Sequence, residues 1–358
     1  MKLSSENEFI IKLLTSFLGR GHLEIEEGFL WGSLDWDKMI AIGKHQNLLP
    51  LFYQILSRHG FLEDLPARER EKLEDDFLDH TALTLLYDDE LRVILNSFQQ
   101  KGVPCIILKG VSIALEFYNP RESRPYTDLD ILIKESDFDK AKKILMELGF
   151  GISNPEGEEI RRKYFNSVSF SKAEAHQIDL DLHWETFIIS WNERAFLGSH
   201  KVWENIRWIE FSGLRLPVLQ PYMLILYLAL HFTFHHHFGK MLSLCDLDRV
   251  IKRWGKEIDW DKLIRQAIAA KIKKPTYYSL RLAHDLLKTE VPEEVFKALA
   301  QNKLEERLFP FQYLVFREKP LPPNIERFFK FLFIEGVQGK VKSLITFYRQ
   351  LQAKNEII

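Results

Sequence analysis

Apolar residues recur at helical spacing through most of the first hundred positions. Residues 8–17 carry them three and four apart, and residues 37–56 do so again, with Asp35 or Asp37 placed as a cap. Pro66 opens a long amphipathic stretch that runs to about Gln100. At Gly102 the period changes. Residues 103–108 form an apolar run of strand length, closed by Lys109-Gly110 and followed by a helical pattern over 111–118. A turn-rich segment, 119–125, leads into a second strand at 127–133. Ser136 and Asp139 stand as a capping box for the next helix, which Gly149 closes. Residues 167–171 and 177–184 read as two more strands, the latter strictly alternating. From Pro217 the pattern is helical again, with a helix starting at Pro221 and later ones at 246–254, 260–270, 276–287 and 292–300. A hinge at 318–323 precedes a last basic-aromatic helix.

This order predicts an α+β fold: a small mixed sheet with helices on one face, in a core at 101–215, flanked by helical regions at 1–100 and 216–358. No internal repeat or low-complexity tract interrupts it.

The candidate chemistry lies on two of the strands. In Asp128-Leu129-Asp130 the alternation of a strand sends both carboxylates to one face and Leu129 to the other. Two carboxylates so close repel, and a divalent cation relieves them; Mg²⁺ takes hard oxygen ligands of this kind together with substrate phosphates. A bare D-x-D is more often a turn cap with an exposed neighbour. The second strand changes that balance, because Ile178-Asp179-Leu180-Asp181-Leu182-His183 places Asp179, Asp181 and His183 opposite an apolar face. Set beside the first, it completes a three-carboxylate cluster suited to two metals and an in-line phosphoryl displacement, with either Asp179 or Asp181 as third ligand.

A third piece is Lys109-Gly110-Val111-Ser112, where glycine turns a strand into a helix and frees backbone N–H groups for a phosphate. Arg121 and Arg124 precede the acidic strand and carry charge suited to a triphosphate, although arginines so placed are often surface ion pairs. His231, His235, His236 and His237 invite a metal reading, but no Glu follows His231, so helix-end packing is the better account. His284-Asp285 has no partners in register for a phosphohydrolase site.

Composition narrows the class. A net charge of −2 argues against nonspecific binding of long nucleic acid, although residues 240–274 hold ten Lys/Arg against five Asp/Glu. Cys105 and Cys245 offer neither a disulfide framework nor a thiolate zinc site and fit a reducing compartment. The first residues lack a signal-peptide pattern, and the apolar stretch 222–234 is shorter than the ~20 residues of a membrane helix. The expected location is the cytoplasm.

Leu108-Lys109-Gly110, Tyr118, Arg124, the run from Thr127 to Ile133, Leu148-Gly149-Phe150 and Asp181-Leu182-His183-Trp184 together resemble an uncharacterised bacterial nucleotidyltransferase family of the DNA polymerase β-like superfamily. The resemblance continues through Pro221, Leu224, Leu228, His231, Leu244, Asp246 and Trp260, covering most of residues 80–300. It implies a minimal polymerase β-like core and a magnesium-dependent transfer of a nucleoside monophosphate from an NTP. It further implies Asp128 and Asp130 as paired metal ligands, Asp181 in the third acidic position, and Gly110 with Ser112 as the phosphate turn. Lys109 and Arg124 are expected at the triphosphate. The acceptor is unnamed by the resemblance, and the charge balance favours a small molecule, with a protein side chain or an RNA 3′ end as alternatives and a protein partner also expected as possible. The competing expectation is a non-catalytic nucleotide-binding or interaction module on the same fold.

Overall fold

The computed structural model describes residues 3–19, 31, 34–173, 176–186, 188–190, 193–194, 199–300, 315–317, 321–334 and 340. In chain order the helices and strands are α1 (Ser5–Phe17), α2 (Trp36–Gln46), α3 (Leu49–Arg58), α4 (Ala67–Gln100), β1 (Cys105–Ile107), α5 (Val111–Phe117), β2 (Leu129–Ile133), α6 (Phe138–Glu147), β3 (Gly151–Ile152), α7 (Glu158–Tyr164), β4 (Ser167–Ala173) and β5 (Gln177–His183). There follow β6 (Ile188–Ser190), β7 (Glu193–Arg194), α8 (Ser199–Trp203), β8 (Ile206–Phe211), β9 (Leu214–Leu219), α9 (Pro221–Phe234), α10 (Met241–Trp254), α11 (Trp260–Ala269), α12 (Lys273–Leu287), α13 (Glu293–Leu299) and α14 (Pro323–Phe333). The fold is α+β, with a seven-stranded mixed sheet among the described residues in the order β3-β4-β5-β2-β1-β9-β8. β2 runs antiparallel to β1 and parallel to β5, so the two acidic segments are neighbours.

Alternation along β2 divides the molecule into two cores. Leu129, Ile131 and Ile133 face one side with Phe138, Ile144 and Leu145 of α6 and Leu91, Ile94 and Phe98 of α4. Leu132, on the opposite pleat, joins a larger core built by α1–α3 and α9–α13. Helices therefore cover both faces of the central strands rather than one. A sheet face carrying Leu132, Ile106 and Leu108 must be kept from water, and the apolar helix α9, buried at nearly every position, does this.

Local chemistry explains where elements stop. The stretch 37–56, periodic throughout, is two helices because Asn47 adopts the left-handed conformation at φ 57° and Pro50 starts the next. The side chain of Asp35, not Asp37, caps α2 by accepting from the Lys38 N–H at 2.9 Å. The helix expected to be capped by Ser136 begins one 3₁₀ turn later, at Phe138, without a side-chain cap. The β8–β9 hairpin replaces the helical reading from Pro217, and Ser212-Gly213, both at positive φ, make its turn. The hinge residues 318–320 lie outside the described residues, while Leu321 and Pro322 lead into α14.

The segment entering β2 is clamped from two helices. On α10, buried Asp246 accepts from Arg124 Nε at 3.2 Å and Nη2 at 2.7 Å, and from the Tyr118 hydroxyl at 2.9 Å. On α4, the Tyr87 hydroxyl donates to the Thr127 carbonyl at 2.5 Å, and Asp88 pairs with Arg121 and accepts from Tyr126. Asp246→Ala leaves a buried guanidinium unpaired and is expected to destabilise the fold by about 3–5 kcal/mol. Urea denaturation measures this; a loss under about 1 kcal/mol would show that the clamp contributes little.

Candidate active site

Parallel pairing of β2 with β5 sets Asp130 directly beside Asp181, and Leu132 beside His183. Alternation then brings Asp130, Asp181 and His183 to one face while Leu129, Leu180 and Leu182 pack behind them. One ligand-type atom from each of the three lies within 4.8 Å of the others. Asp128 sits one residue before β2 and is half-buried, so it stands at the mouth of this group. Asp179 lies one pleat further out, accepts from Gln177 Nε2 at 2.8 Å, and is the more remote from Asp130 of the two β5 carboxylates by register.

Antiparallel pairing places the end of β1 against the start of β2, and Lys109, two residues past β1, lies on the acidic pair. Its Nζ is 2.5 Å from Asp130 Oδ2 and 3.6 Å from Asp128 Oδ2. The Asp130 contact is the closer of the two and pairs the ammonium with a buried oxygen. Burial opposes ionisation of Asp130, yet Lys109 and His183 hold its carboxyl well below the ordinary carboxylate range. Asp128 feels that fixed charge first and its own burial second, and is pushed up to about 6. Burial pulls the Lys109 ammonium down, but the two carboxylates more than offset this, and it is held above its usual value.

The protonation of His183 follows from its neighbours. Asn166 Nδ2 lies 3.1 Å from the Glu185 carbonyl, which accepts only, so that atom is the amide nitrogen. The same nitrogen is 3.3 Å from His183 Nδ1, which must accept. The ring proton of neutral His183 is therefore on Nε2, 3.2 Å from Asp130 Oδ1, and donates there. His183 thus braces Asp130, not Asp181, and Asp130 is held at both oxygens.

Gly110 has φ +63°, and a Cβ there would stand 3.6 Å from the Asp128 carbonyl oxygen. Ser112 is buried in the first turn of α5, a helix of seven residues. Arg124 is engaged with Asp246 and donates from Nη1 to the Pro125 carbonyl, so its charge reaches this region while its donors are taken. From the opposite side α9 approaches: burial, followed by Asp130, Asp128 and Asp181, pushes the Tyr227 hydroxyl well above its ordinary value. His231, one turn on, stacks with His235 at 4.7 Å and meets His236 edge-on at 4.5 Å; burial and Lys109 hold it well below its usual value. These histidines pack at the helix end. His284 bonds the Thr289 carbonyl while Asp285 pairs with Arg281, so the two form no dyad.

Asn166 and Tyr227 gave no signal in the sequence. Asn166 is a single polar residue before a strand, and Tyr227 lies in a helix apolar all round.

The family described as "Uncharacterised nucleotidyltransferase" matches residues 32–288, well over half of the chain. No curated protein matches it.

Two outcomes test this geometry. An acid whose folded pKa is raised destabilises the fold increasingly as pH rises from its unfolded value through about 6, and fully above that. Asp128→Asn should therefore raise the melting temperature at pH 7.5 and lose that gain progressively as pH falls from about 6 toward 4; a gain independent of pH counts against the repulsion. In ¹⁵N NMR of the wild type, the His183 ring should show its proton on Nε2, and Asn166→Ala should give a tautomer mixture. A wild-type Nδ1–H form would overturn the assignment.

Proposed function

The chain belongs to this nucleotidyltransferase family, and we propose that it transfers a nucleoside monophosphate from an NTP to the hydroxyl of an acceptor, with Mg²⁺ held by Asp128, Asp130 and Asp181. The observation that carries this reading is the register that sets Asp130 beside Asp181 across two parallel strands. The donor set fits the cation. The oxygens are hard, and buried Asp130 Oδ2 already holds a cationic group, the Lys109 ammonium. Three carboxylates outweigh the one ammonium of Lys109, and the excess negative charge suits a divalent cation. With His183 Nε2 protonated, the third ligand is a carboxylate, Asp181 in preference to Asp179.

Magnesium bound there would neutralise the triphosphate and the charge that grows on the departing pyrophosphate; a pair of such ions is the arrangement the three carboxylates suit. The protein's own groups do the rest. Lys109, on a flexible stem beside Asp130, would reach the phosphates. Gly110 lets the triphosphate approach the backbone, with Ser112 behind it, and Arg124 acts as a fixed positive charge held by Asp246. The acceptor oxygen forms its bond to the α-phosphorus as the bond to the bridging oxygen breaks, and Asp181 takes the hydroxyl proton. Tyr227 of α9 is buried close enough to the three carboxylates to feel their charge and bounds the site on that side. The overall charge of −2 favours a small-molecule acceptor over long nucleic acid.

The test is transfer of label from α-³²P-labelled NTPs with Mg²⁺ and cell extract. Asp130→Asn should lower transfer by at least about 100-fold, and Lys109→Ala should weaken triphosphate binding more than nucleoside binding. Mg²⁺-independent NTP binding, with no label moved from any of the four NTPs, would replace the enzyme with a non-catalytic nucleotide-binding module.

A further inference from the structure

A cavity of about 630 Å³ opens between α1, α3, the end of α5 and α10, and its chemistry is cationic and aromatic. Arg58, Arg121 and Arg249 line it, with Glu116 and Glu122 as the acidic groups. The two glutamates are already engaged, Glu116 with Arg207 at 2.5 Å and Glu122 with Arg121 at 3.2 Å. Arg121 also pairs with Asp88. Arg58 and Arg249 differ. Neither has a carboxylate within ion-pair distance among the described residues. Arg249 lies over the Phe17 ring at 4.0 Å and Tyr118 at 5.5 Å, and makes one long hydrogen bond, 3.4 Å to the Phe17 carbonyl. Its Nε is buried with no acceptor. Arg58 is exposed at the end of α3.

A buried guanidinium N–H without an acceptor costs about 1–3 kcal/mol or more, and an oxyanion removes that cost. Two planar forks on one cavity match the oxygens of a phosphate, and Phe17 and Leu115 offer an apolar wall beside them. We propose that this cavity binds a small organic phosphate, its phosphoryl oxygens on Arg58 and Arg249 and its organic part against the Phe17–Leu115 wall. The site is distinct from the carboxylate cluster. Tyr118 forms part of its wall and donates to Asp246, which holds Arg124, and the Arg124 charge is felt at Asp128.

Calorimetry in EDTA, with inorganic phosphate and phenyl phosphate as probes, tests this away from any magnesium-dependent binding. Phenyl phosphate should bind the full chain at least about tenfold more tightly than inorganic phosphate, because the ring buries apolar surface. Arg58→Ala should weaken it about tenfold, and Arg249→Lys, which keeps the charge and the packing stem, should weaken it similarly by losing the fork. Lys109→Ala should leave it unchanged. No heat up to about 10 mM phenyl phosphate, or affinity unaltered in both arginine variants, would overturn the proposal. So would equal affinity for the two probes, or loss of binding in Lys109→Ala, which would place the anion at the carboxylate cluster.

Discussion

Burying Asp130 beside Asp128 is unfavourable by several kcal/mol unless a cation accompanies them, and Lys109 supplies one from the adjoining strand. The positions of the neighbouring groups follow from that contact. The pairing of β1 with β2 brings the ammonium to the carboxylates, and the pairing of β2 with β5 adds Asp181. His183 closes the remaining side of Asp130 through a ring whose tautomer Asn166 dictates. The charge left over is negative, which is the property the proposed magnesium site rests on. The residue that makes the acidic pair tolerable in the fold is the one that the proposed metal would displace.

Around this contact the two cores do unequal work. The smaller one, behind β2 and β5, fixes which way the carboxylates point, because Leu129, Ile131, Leu180 and Leu182 cannot turn outward without exposing apolar surface. The larger one carries α9 and α10, which supply Tyr227 above the carboxylates and Asp246 against the entering loop. The strand register is thus set locally, and the enclosure of the site by residues far along the chain.

Much of the sheet was legible from the sequence because its strands alternate cleanly; residues 177–184 are the plainest case, and the strand found ends one residue earlier. The β8–β9 hairpin was not read. Pro217 resembles a helix start, and Leu214 to Leu219 alternates only as far as Arg215 before turning apolar, yet Ser212-Gly213 carried a hairpin signal. At the site, residue types and spacing pointed to Asp128, Asp130 and the β5 carboxylates. Pairing partners were another matter. Arg124 reads as a phosphate ligand when Asp246, 122 residues away, is out of view. Spacing along a chain carries no information about such a contact, and the same holds for Asn166 and His183 across the β4–β5 turn.

Helix α4 spans 34 residues, roughly 50 Å at 1.5 Å per residue. Leu73 near its start belongs to the larger core and Tyr87 to Phe98 to the smaller, so one rigid rod is a wall of both. Through Tyr87 it also grips the Thr127 carbonyl and receives the Asp179 N–H at 3.1 Å, touching both acidic strands from behind. The helix acts as a ruler laid across the back of the sheet. A chain that kept every carboxylate and lost this rod would retain the ingredients of the site without the gauge that sets the spacing between its two acidic strands.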